Sequence, residues 1–142
     1  MVTALPKHRL IRVMVVGVVY FVIGYGSTLF DQPFSGLHFW RLAAWVASAA
    51  VYFLHLGYEH FKLANRPAIT AINAGLAVAI GGFLLAVAAI THAAMVSEHA
   101  PFGRFLIALI AWPLITGVPA FLVTLVISWI LQWLNIPRRA AP

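Results

Sequence analysis

From Leu106 to Pro137 the chain carries no aspartate, glutamate, lysine or arginine. About 20 apolar residues suffice for a helix to cross the hydrocarbon of a bilayer, so this run constrains the fold more than any motif does. Three further stretches pass the same test: residues 13 to 30, residues 42 to 58, and residues 68 to 95, where His92 is the only ionisable side chain. With 63% apolar and 8% charged residues and a mean hydropathy of +0.98, a soluble domain of 142 residues could not keep its surface wet. The expected fold is an all-α integral membrane protein with a single domain over 1–142. It is a four-transmembrane-helix bundle, up-down-up-down, with helices over 11–30, 38–62, 68–95 and 104–133.

Turn chemistry separates the spans. Pro33 and Gly36, Asn65 and Pro67, and Pro101 and Gly103 punctuate the three connections. The first span follows a short basic segment (Lys7, His8, Arg9, Arg12) and resembles a leader in outline. It ends without a clean small-x-small cleavage site and is read as helix 1. Pro113, Gly117 and Pro119 lie inside the fourth span, and the two prolines remove two backbone donors, which predicts a bent helix.

Basic residues give the expected orientation. Lys7, Arg9, Arg12, Lys62, Arg66, Arg138 and Arg139 fall on one side of a four-span chain and Arg41 and Arg104 on the other, which places both termini in the cytoplasm. The same distribution accounts for the net charge of +6 without nucleic acid. The expected location is a bacterial inner membrane, with the lipid bilayer and other membrane subunits as partners.

Two patterns at helical spacing stand out. In the second span His38, Arg41, Trp45, Ser48, Tyr52, His55, Glu59 and Lys62 recur at alternating intervals of 3 and 4, so a polar stripe runs along one helix face and must meet protein or water. Arg41, Ser48, Tyr52, His55 and Glu59 are its chemistry-bearing members. In the third span Ala71, Gly75, Ala79, Gly82, Ala86 and Ala89, continued by Ala93, form a row of small residues where another backbone can come close. The less apolar face of helix 1, Gly17, Tyr20, Gly24, Ser27 and Asp31, is expected to meet helix 2.

Candidate sites are few. The absence of cysteine excludes disulfides and thiolate metal sites. Asp31, His38, His92 and His99 are suitable ligands for a divalent metal, but Arg41 and Arg104 would repel the cation and no H-x-x-x-H spacing occurs, so surface ion pairs are the simpler reading. A haem with two axial histidines needs both at similar depth, whereas His55 falls near the inner end of helix 2 and His92 near the outer end of helix 3, about a membrane apart if the two helices are antiparallel. A single-histidine pigment or haem ligand, His55 or His92, remains a minor alternative, with no cofactor specified. No catalytic constellation occurs, so no enzymatic activity is expected. Helices 3 and 4 offer Asn73, Thr91, His92, Thr116, Thr124 and Ser128 as polar partners for the stripe, which suits a packing seam better than a transport path. The expected function is a non-catalytic accessory subunit of a larger membrane complex. The alternative is a small oligomeric transporter or proton-conducting channel lined by helix 2.

Overall fold

A computed structural model describes residues 7–30, 39–96 and 102–135, without the side chains of Phe30, Phe102, Arg104 and Asn135. It contains four long helices: α1 (Lys7–Phe30), α2 (Phe39–Gly57), α3 (Pro67–Val96) and α4 (Phe102–Asn135). A π-helical turn, Tyr58–Lys62, extends α2 directly. All four helices are long and apolar enough to cross a membrane. Their ends run beyond the apolar windows because basic and small polar residues continue the backbone hydrogen bonding past the hydrocarbon-matched segment. Thus α1 begins at Lys7 rather than 11, and α4 extends over 102–135 rather than 104–133.

Helix α3 is the shared element, packed against α1 on one side and α4 on the other, while α2 leans mainly on α1. Small residues make both seams. A Cβ added at Gly75 would fall 2.9 Å from Phe121 Cβ, and one at Gly82 would fall 2.6 Å from Thr116 Oγ1, so these members of the small row lie against α4. Gly117 of α4 faces the same seam, its added Cβ meeting Ala79 at 2.8 Å. Ala71 and Ala86 are buried, Ala79 is half-buried and Ala89 is exposed.

The second seam departs from expectation. Helix 1's glycine face does not meet helix 2. An added Cβ on Gly17 would lie 2.7 Å from Ile80 Cγ2 and one on Gly24 would lie 2.9 Å from Leu85 Cδ1, both on α3. Gly81 reciprocates with 2.7 Å to Tyr20 Cβ. Because almost every residue of α3 between Thr70 and Ala86 that is buried is small or polar, two helices approach it closely from different sides. These contacts advance together along α1 and α3, and in opposite sense along α3 and α4.

Helix α4 is continuous through Pro113 and Pro119. The Thr116 hydroxyl donates to the Trp112 carbonyl at 2.8 Å beside the first proline.

The link between α2 and α3 is tightly folded. Ala64 has φ 47°, the left-handed region that favours glycine. That reversal lets the Leu63 amide donate to the Tyr58 carbonyl (3.3 Å) and the Asn65 amide to the Glu59 carbonyl (3.4 Å). Pro67 then opens α3 at the position where its missing N–H costs no helical bond.

Candidate functional site

The largest fully buried side chains are all polar: Glu59, Asn73, Thr70, Thr124 and Ser128. Most large apolar side chains among the described residues are exposed, as lipid contact allows, while these polar ones are buried. Two clusters result.

The first surrounds Glu59, which is 1% exposed. The π turn carries it. Glu59 is its second residue and stays on the face of Tyr52 and His55, while the wider turn leaves Lys62, the next member of the predicted stripe, exposed. Glu59 Oε2 accepts from Asn65 Nδ2 at 2.5 Å and from Asn73 Nδ2 at 2.8 Å. Asn73 in turn accepts on Oδ1 from Arg9 Nε at 2.6 Å. Its amide is therefore a bridge, donating to a carboxylate on one side and accepting from a guanidinium on the other, an arrangement in which each bond polarises the next. Burying a carboxylate without such partners costs several kcal/mol, roughly, even after relaxation. The clasp joins α1, the π turn, the α2–α3 link and α3 at one end of the molecule.

The second cluster joins α2 to α4. Thr124 Oγ1 donates to the Ala120 carbonyl (2.8 Å), and the Tyr52 hydroxyl lies 2.9 Å from that carbonyl and 2.5 Å from Thr124 Oγ1. Tyr52 thus reaches across the interior to a helix with which α2 otherwise has little contact.

Between the two lies His55, 8% exposed, close enough to Glu59 and Arg12 to feel both charges. Its Nε2 has no hydrogen-bond partner among the described residues, and neither do Tyr20 Oη, Glu59 Oε1, Thr70 Oγ1 and Ser128 Oγ, all buried.

The half of the stripe nearer the start of α2 behaves differently. Arg41 is exposed, Trp45 is 78% exposed, and Ser48 is half-buried. A 3.5-residue repeat drifts by about 20° per heptad around a straight α-helix, so a stripe that starts on the interior face near Glu59 has rotated off it by Arg41. The stripe is a protein-facing surface only from Ser48 to Glu59.

Of the remaining candidates, His92 sits exposed near the end of α3, whereas the Glu59–Asn73 bond ties the His55 end of α2 to the beginning of α3, so the two do not form an axial pair. Asp31, His38 and His99 lie outside the described residues. Among the described residues, no three His, Asp or Glu side chains converge as a metal site would require. Sequence reasoning missed Arg9, assigned to topology alone, and Asn65, assigned to a helix stop. Asn73 stood in plain view as the sole amide in the third span.

No protein-family model, no curated protein and no solved structure matches this chain. The class that the fold itself defines is an all-helical chain with four helices able to span a membrane, closed inside by polar ties rather than by a large apolar core.

Proposed function

We propose that the protein is a non-catalytic accessory subunit of a larger complex in a bacterial inner membrane. It lies up-down-up-down with both termini in the cytoplasm. The observation that carries this reading is the uneven attachment of α2. Its inner end is held by the Glu59 clasp and by Tyr52, whereas Phe39, Trp40, Leu42, Trp45 and Val46 of its outer half are exposed, and α2 leans mainly on α1. Polar groups that a conduit would need free are tied to each other, with Asn65 and Asn73 on Glu59 and Thr124 on Tyr52. A helix anchored at one end and offering aromatic side chains at the other suits insertion against a neighbouring subunit. The grouping of Arg9 with Glu59 at the π-turn end puts Lys7, Arg9, Arg12, Lys62 and Arg66 at one end of the bundle, which supports a cytoplasmic placement of that end.

A proton- or solute-conducting oligomer is the second reading, favoured by the five buried polar atoms that lack hydrogen-bond partners among the described residues. Two measurements separate the readings. Purification in mild detergent should retain a fixed heteromeric partner identifiable by mass spectrometry, and reconstituted vesicles should show no dissipation of an imposed pH gradient. A proton signal that disappears with Glu59→Gln would reject the accessory role. Cysteines placed at positions 5 and 140 should resist labelling from outside; efficient labelling of both would invert the orientation.

A further inference from the structure

Beside the clasp, a groove of about 450 Å³ opens between α1 and α2. Its walls are Val15, Val16, Val51 and Leu54 towards the middle of the two helices, and Arg12, His55 and Tyr58 towards the basic end. We propose that this groove binds one anionic phospholipid, with the phosphate at Arg12, His55 and Tyr58 and an acyl chain along the four aliphatic residues.

Three observations carry the assignment. First, the polar end of the groove carries the Arg12 guanidinium, and no carboxylate is among the residues that line it. Among the described residues Glu59 is the only carboxylate, and its Oε2 is turned to Asn65 and Asn73. Arg12 is hydrogen-bonded through Nε to the His8 carbonyl, an exposed contact of 3.2 Å, which orients the guanidinium and keeps its terminal amines for another acceptor. Second, His55 is more than nine-tenths buried, lines the groove, and has an Nε2 without a partner. A phosphate oxygen accepts from an imidazole N–H and from a guanidinium at once, which no apolar chain or neutral headgroup carbonyl does as strongly. Third, polarity changes along the groove in the order a lipid requires. Arg12 lies five residues inside α1 from Lys7, roughly 7 to 8 Å along the axis, at headgroup depth, and the aliphatic walls follow towards the membrane centre.

The test titrates phosphatidylglycerol and phosphatidylcholine separately into the detergent-purified full chain and counts bound lipids by native mass spectrometry. Phosphatidylglycerol is expected to be retained in a one-to-one complex at least roughly ten-fold more tightly than phosphatidylcholine, and Arg12→Gln to remove most of that preference. Val51→Trp, which fills the groove without touching a charge, should weaken both lipids. Lys62→Gln, an exposed cation at the same end but outside the groove, should leave the complex intact. Circular dichroism of each variant reports the fold, and Leu54→Trp replaces Val51→Trp if that variant is unstable. Equal retention of the two lipids, equal loss in Lys62→Gln and Arg12→Gln, or no effect of filling the groove would each overturn the proposal. Competition by millimolar inorganic phosphate would also overturn it, by showing a free-anion site.

Discussion

Replacing Gly81 by alanine tests one of the close approaches between α1 and α3. The added Cβ would lie 2.7 Å from Tyr20 Cβ and 3.2 Å from the Gly17 carbonyl oxygen, and ordinary contact begins near 3.4 Å. Neither neighbour is the free end of a flexible side chain, so no rotamer change relieves the clash. The α1–α3 seam must instead open by 3.4 − 2.7 = 0.7 Å locally. Overpacking of this kind costs about 1 to 3 kcal/mol. Alanine also gains up to about 1 kcal/mol over glycine in helix propensity, which would blur the result if the variant were compared with wild type alone. Gly26→Ala supplies the correction. It lies on α1 with nothing within 4 Å of the added atom, and so records the propensity gain without a clash. The difference between the two variants should therefore be about 1 to 3 kcal/mol, with Gly81→Ala the less stable. Reversible unfolding in mixed micelles by titration with SDS, followed by far-ultraviolet circular dichroism, gives both values. The Gly17→Ala, Gly81→Ala double variant should cost less than the sum of its parts, because opening the seam for one methyl makes room for the other. Equal stability of Gly81→Ala and Gly26→Ala would refute the close packing of α1 on α3.

Asn73→Leu strands Arg9 and Glu59 on either side of an apolar side chain and should cost about 3 kcal/mol or more in the same titration, whereas Glu59→Gln keeps an acceptor for one amide and should cost about 1 kcal/mol. If Asn73→Leu unfolds within 0.5 kcal/mol of wild type, roughly the scatter of a neutral surface change, the clasp contributes nothing. Tyr52→Phe leaves Thr124 bonded to the Ala120 carbonyl, strands no acceptor, and should cost only about 0.6 kcal/mol, typical of hydrogen bonds between membrane helices; a loss above about 2 kcal/mol would mean that Tyr52 holds α2 in place by itself.

The spans were legible because hydrocarbon thickness imposes a length that no other constraint in the chain competes with, and the apolar runs meet it four times over. Residue faces were harder to read. The stripe on α2 follows a 3.5 repeat, and extending it to Arg41 and Trp45 ignored the drift of a straight helix beneath it. Lys62 fell off the pattern for a second reason: the π turn at Tyr58–Lys62 has a different period, and nothing in YEHFK distinguishes it from a continuing α-helix. Helix 1 was paired with the wrong neighbour because short connections make consecutive helices adjacent without saying which surface of α1 the third helix takes. With small residues nearly all round, α3 could accept a close partner on either side. Arg9 was hidden by its own plausibility as a topology signal, and only the position of Asn73 beside it reveals the second role.

The order in which the clasp's parts leave the ribosome has a consequence for insertion. Arg9 emerges first and Glu59 some fifty residues later, yet the amide that joins them belongs to the next helix, fourteen residues beyond Glu59. Until Asn73 arrives, α1 and α2 occupy the membrane with a guanidinium and a carboxyl group that have no shared partner, and α1 lacks the helix against which its glycines pack. The first two helices are thus an unfinished pair until α3 is released. The second hairpin, α3 with α4, carries its own small-residue seam and can close as soon as it is made. Late synthesis completes early structure, so a chain truncated after Lys62 should be degraded while a fragment beginning at Pro67 survives in the membrane.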